Sequence, residues 1–272
     1  MERPHGHVRP RRQPARPRGQ RAHRTQRLPA RHRGPHPRAA RTERPTHPPA
    51  AARPRPLPVR GHSAIGLYAA LAERGFFPEE WLAGYGTPDG PLTAHPNPAV
   101  PGVEMPTGSL GHGLSLGVGF ALDMKLSGSD RRCFVITGDG DLQEGSVWEA
   151  AMAAATHRLD RLVAVVDRNG LQITGSTENN AAPEPLGDRW RSFGWHVIEV
   201  AGHDTAQLAA AFHGAPYAPG RPTAVICRTV KGRGLPYIEG QARSHYARLA
   251  GKQHKRAAAV LRAQAKRTET RA

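Results

Sequence analysis

Along residues 61–272, helical stripes of hydrophobic positions take turns with short unbroken apolar runs. Ile65, Leu67, Tyr68, Leu71 and Ala72 form a helical stripe over Ser63 to Arg74. A small-residue helix is expected at 111–126, an Ala-rich one at 145–157, and others at 186–193 and 204–213. A basic amphipathic helix is expected at 247–266. Between them lie short apolar runs without alternation: Cys133 to Thr137, Leu162 to Asp167, Trp195 to Val200 and Thr223 to Thr229. Such runs suit strands covered on both faces. Strands alternating with helices predict an α/β fold: a doubly wound, mostly parallel sheet with helices on both faces. Residues 84–108, rich in Gly and Pro, read as a long ordered loop, and loops of that length tend to be functional.

Composition divides the chain at about residue 60. Residues 1–60 hold 17 Arg, no Lys, no aromatic ring but His, and two acids, Glu2 and Glu43, so they carry nearly all of the net +17. They also hold 13 of the 26 prolines and cannot bury enough apolar surface to offset the entropy of ordering. A disordered basic segment is therefore expected. Three readings of it stay open: an arm for nucleic acid or an anionic surface, a solvated tail, and GC-rich DNA translated out of frame or from upstream of the true start. A nucleic-acid function has no aromatic interleaving or known module to support it. Residues 61–272 are expected to form one near-neutral domain. Cys133 and Cys227 lie far apart in apolar runs, which suits buried thiols in a reducing compartment and no disulfide framework. No run approaches a membrane span and no signal peptide is visible, so the cytoplasm is the expected location.

Ligands of doubly wound sheets collect beyond the carboxyl ends of strands. Two strand ends carry suitable chemistry. Gly138-Asp139-Gly140-Asp141 closes the first, and its glycines let backbone N–H groups approach a phosphate. Arg168-Asn169-Gly170 closes the second. Asp139, the Asn169 amide oxygen and the Leu171 carbonyl, with diphosphate oxygens, would satisfy Mg²⁺. Taken singly, Gly-Asp-Gly and Asn-Gly are ordinary turns. Both at strand ends, 30 residues apart, they point to a metal–diphosphate site. Neither a Rossmann fingerprint nor a P-loop is present.

Gly138 through Asn169 resembles the metal–diphosphate motif of thiamine diphosphate enzymes. Gly138 to Ala150, Asp167 to Ile173, Pro106 to Gly113, Gly194 to Val197 with Gly202-His203-Asp204, and Lys231 to Gly234 resemble transketolase. The resemblance spans about residues 61–265 and implies an N-terminal, diphosphate-binding subunit. It implies Mg²⁺ on Asp139, Asn169 and Leu171, and thiamine diphosphate contacts from Gly138, Gly140 and Asn169. Gly108 and Leu110 would lie near the aminopyrimidine. His62 and His245 would lie near the diphosphate, and His95 near substrate hydroxyls, all three in catalytic positions. His112, His157, His203 and His213 are left as ordinary histidines, and Trp81, Trp148, Trp190 and Trp195 as packing residues. Gly113, Gly117 and Gly119 would permit close helix packing near a subunit interface.

The same resemblance implies a separate pyrimidine-domain subunit, transketolase's C-terminal half, phosphorylated sugar substrates and a dimer of heterodimers. The chain alone is then expected to be inactive. Alternatives are the α subunit of a 2-oxo acid dehydrogenase-type thiamine enzyme and a non-catalytic pseudo-subunit. One departure stands out. Residues 1–60 contain no Ser-Gly-His-Pro-Gly-type segment, and Gly34-Pro35-His36-Pro37 has similar letters in another order.

Overall fold

The computed structural model describes residues 55–58, 63–247, 249 and 251–269. Five parallel strands form the central sheet: β1 (Arg55–Pro58), β2 (Cys133–Gly138), β3 (Leu162–Arg168), β6 (His196–Ala201) and β7 (Thr223–Arg228), in the order β1-β2-β3-β7-β6. The central β3 is buried along nearly its whole length, as its unbroken apolar run requires. β1 comes from the end of the basic segment and pairs with β2 at the edge of the sheet. Pro56 and Pro58 lack N–H donors, and an edge strand is where a sheet tolerates them. The rest of the segment expected to be disordered lies outside the described residues.

Helices cover both faces. Helices α2 (His112–Leu126), α3 (Gly145–Thr156) and α5 (Leu186–Ser192) pack one face through Leu114, Val147, Ala151 and Trp190 against Val135, Leu162 and Ala164. Trp190 meets Trp195 edge-on at 4.8 Å and tilts against Trp148 at 5.2 Å, so the tryptophans pack rather than face solvent. Helix α6 (Thr205–Gly214) covers the other face with Leu208, Ala211 and Phe212. Its Asp204 caps it, accepting from Ala206 N and Gln207 N.

A smaller cluster lies N-terminal to these layers. Helix α1 (Ala64–Glu73) buries Ala64, Tyr68 and Leu71 against Leu92 and Val100. Ile65, expected on that stripe, is exposed, since the true repeat starts one residue earlier at Ala64. Phe77 stacks on Trp81 at 5.3 Å, and residues 85–111 run without helix or strand, as the Gly/Pro content predicts.

Between β3 and α5 the chain forms a two-stranded hairpin, β4 (Leu171–Gln172) and β5 (Gly175–Ser176), and a short helix, α4 (Thr177–Asn180). The C-terminal helix α7 (Lys252–Glu269) starts later than expected. Gly251, at φ +56°, cannot extend it backwards, and Ala242–Tyr246 form a separate 3₁₀ turn.

Candidate functional site

Parallel pairing of β2 with β3 sets Gly138 opposite Asp167, so the loops after both strands emerge side by side. Asp139 is 1% exposed. Its Oδ2 accepts from Asn169 N and Gly170 N, each at 2.8 Å, and its Oδ1 from Arg168 Nη1 at 2.8 Å. A carboxylate oxygen has two acceptor sites, so Oδ1 keeps one for a further partner. Asn169 Oδ1 accepts from Leu171 N at 3.1 Å, which folds the amide back over the start of β4. Residue 169 therefore meets Asp139 through its backbone.

Carboxylate, amide and main-chain carbonyl oxygens are hard ligands suited to Mg²⁺. A Cβ built on Gly140 meets nothing within 4 Å beyond its chain neighbours, so the backbone at Gly140 is open to close approach by a phosphate. Among the described residues no three His, Cys, Asp or Glu side chains converge as a metal cluster. A site with one carboxylate draws its other ligands from phosphate and water. On these grounds the residues present fit a metal–diphosphate group.

Asp141, which sequence reasoning left without a role, ties a second segment to this one. It is buried, with Oδ2 accepting from Gly138 N at 2.8 Å and Oδ1 from Gly111 N at 3.1 Å. Gly111 precedes α2 at φ +75°, and a Cβ there would lie 2.4 Å from Glu144 Cβ. Ser146 Oγ adds a bond to Gly111 O at 3.1 Å. Gly108 and the half-exposed Leu110 are thus anchored to the β2 end. Gly108 backs directly onto the His95 ring, where its Cβ would lie 3.4 Å from Cγ. The His95 carbonyl accepts from Thr93 Oγ1 at 2.6 Å and Tyr68 OH at 3.3 Å, which fixes the loop that carries the imidazole.

His245 lies on the 242–246 turn, which packs against β4 and β5, with its Nδ1 3.3 Å from Lys231 Nζ. His62 falls outside the described residues. The structure thus ties Asn169 to Asp139 by its backbone N–H and Leu171 N to the Asn169 amide, links the 108–111 segment to Gly138 through Asp141, rests His95 against Gly108, and carries His245 on the turn beside β4. His203 has a structural task, accepting from Val230 N at 2.7 Å.

The residue most underestimated by sequence is Arg168. It is 6% exposed, and its guanidinium fork engages four side chains. Besides Asp139, Nη1 donates to Thr177 Oγ1 at 2.8 Å, Nε to Glu184 Oε1 at 3.1 Å, and Nη2 to Glu178 Oε1. Glu184 and Glu199 also pair with Arg228. Burial opposes the Arg168 cation, yet its bonds to Asp139, Glu184 and Glu178 outweigh that and raise its pKa. The Glu184 carboxyl is lowered to about 2, first by the Arg228 hydrogen bond, against burial, with help from Leu186 N and Arg168.

Against known proteins, the family described as "Transketolase, thiamine diphosphate binding domain" matches residues 38–266. The chain is 44% identical over 188 residues to an apulose-4-phosphate transketolase subunit of Actinobacillus succinogenes, covering 69% of this chain and 68% of that one. A 6-deoxy-6-sulfo-D-fructose transketolase subunit of Clostridium sp. is 41% identical over 203 residues, 74% of each chain. An apulose-4-phosphate transketolase subunit of Phocaeicola vulgatus is 42% identical over 187 residues, and the chain spans 66% of its length. Among solved structures, transketolase from Campylobacter jejuni superposes with a TM-score of 0.71 at 31% identity, covering 75% of this chain and 33% of that one.

Proposed function

The chain belongs to the transketolase family through its thiamine diphosphate-binding domain, and from that premise we propose that it is the N-terminal subunit of a two-subunit transketolase. The observation that carries this reading is the clasp at the β2 and β3 ends, where Asp139 is held by Asn169 N and Gly170 N. Asp139, the Asn169 amide and the Leu171 carbonyl would hold Mg²⁺. Gly138 and Gly140 would let the diphosphate come close, and Gly108 and Leu110 would border the aminopyrimidine. When bound, thiamine diphosphate supplies a nucleophilic thiazolium carbon and an electron sink for moving a two-carbon ketol unit. His95, with its loop fixed by Thr93 and Tyr68, would hydrogen-bond substrate hydroxyls. His245 and His62 would bind near the diphosphate.

Three relatives are named as transketolase subunits. That supports a separate partner subunit, and two of the names carry a sugar phosphate; in our reading the partner is the pyrimidine-binding half, the substrates are phosphorylated sugars and the assembly is a dimer of heterodimers. Pro106 to Gly113 and Lys231 to Gly234 favour ketol transfer over 2-oxo acid chemistry.

The test has two steps. Thiamine diphosphate should bind the full chain only with Mg²⁺, and Asp139→Ala should weaken that binding by at least about tenfold, the low end of what losing even a residue that supports a metal ligand costs. Reconstituted with a candidate partner, the chain should consume xylulose 5-phosphate and not pyruvate, while the chain alone should turn over neither. Mg²⁺-independent binding, or turnover by the chain alone, defeats the proposal.

A further inference from the structure

We propose that Arg168 is a positioning residue that makes metal and diphosphate bind as one unit, an inference that rests on the metal–diphosphate reading of Asp139. Asp139 is almost fully buried and is already ion-paired, at 2.8 Å, to a guanidinium that is itself 5% exposed. A cation arriving there meets a carboxylate whose charge is largely neutralised. Behind Arg168 stand Glu178 and Glu184, and behind Glu184 stand Arg228 and Glu199. Four carboxylates against two guanidinium groups leave the cluster net negative, but its fixed positive charge sits directly on the ligand oxygen.

Geometry adds the second half. One bond of the fork, with Asn169 N and Gly170 N, holds the Asp139 carboxylate, and the other three pin α4 and the Glu184 loop to Arg168. The oxygen offered to a metal is therefore well oriented and electrostatically weak. Such a site holds Mg²⁺ poorly by itself and holds it firmly once diphosphate brings its own negative charge. Linkage makes the effect reciprocal, so the metal tightens the diphosphate by the same factor. A purely structural Arg168 would lack this property: its loss would weaken metal binding with and without cofactor alike.

The test measures Mn²⁺ binding to the full chain by electron paramagnetic resonance, with and without thiamine diphosphate. In the wild type, cofactor should tighten Mn²⁺ markedly. Arg168→Gln should tighten Mn²⁺ alone by about tenfold, the low end of what one charge within ~4–6 Å does to an ionic equilibrium. The enhancement by cofactor should fall by a similar factor. Arg168→Lys, which keeps the charge but not the fork, should leave Mn²⁺ alone as weakly bound as in the wild type. If Arg168→Gln does not fold, as breaking a buried ion pair can cause, the double variant Arg168→Gln/Glu178→Gln removes a stranded carboxylate and carries the same expectation.

Mn²⁺ affinity unchanged or lowered in both neutral variants, with wild-type enhancement intact, overturns this inference and leaves the site reading standing. No enhancement in the wild type defeats the site reading, and this inference with it.

Discussion

Cys133 and Cys227 lie inside β2 and β7 with their thiols pushed up to about 12 and about 11, by burial first and by the Glu104 and Asp167 carboxylates second. Only a thiolate attacks disulfide reagents, so neither cysteine should react with such a reagent at pH 8 until denaturant is added. A thiol count above zero in the native chain would contradict this. Glu184 sets an acid limit. Its carboxyl is lowered from 4.5 to about 2 in the folded chain. A folded value below the unfolded one stabilises above the unfolded pKa and is lost as pH falls through the folded one. Between pH 4.5 and 2 the wild type should lose stability more steeply than Glu184→Gln, read from urea midpoints at several pH values. Arg168 was not legible in the sequence for a simple reason. Beside Asn169 it reads as a surface loop residue, and its partners lie 9, 10, 16 and 29 positions away. Asp139 and Asn169 were legible because each stands immediately past the end of an apolar strand run.

Helix α2 approaches the sheet closely because Gly117 has no side chain. A Cβ there would lie 2.4 Å from Val135 Cγ2 and 3.3 Å from Leu162 Cδ1. Gly117→Ala should cost about 1–3 kcal/mol through overpacking. Gly119, two residues on, has open space around it, so Gly119→Ala should instead gain about 0.5–1 kcal/mol from reduced unfolded-state freedom. Equal effects of the two substitutions on the urea midpoint would refute this account of the packing. Element order was readable because the strands are unbroken apolar runs and the helices carry periodic small and apolar residues. β4 and β5 escaped because two residues cannot display a period, and β1 because its prolines read as disorder until an edge position accommodates them. The start of α7 was misplaced because basic residues continue smoothly across Gly251, where the backbone turns left-handed.

At the scale of the whole molecule, positive charge is concentrated at one end of the sequence, since 17 of the arginines precede residue 61. A chain lacking residues 1–54 should elute from heparin at much lower salt, because polyanion binding follows the number of cations engaged. Its Mg²⁺-dependent thiamine diphosphate binding should be retained. Loss of cofactor binding on truncation would give the basic segment a part in the site. The sheet order has a consequence for synthesis. β7 sits between β3 and β6 yet is made after both. Until residue 228 leaves the ribosome, β3 and β6 both present an unpaired edge to the same missing neighbour. Open edges of apolar strands invite pairing with other chains. Nascent chains arrested just before Thr223 should therefore be strong chaperone clients, and release from the chaperone should coincide with the emergence of six residues, Thr223–Arg228, that close the gap.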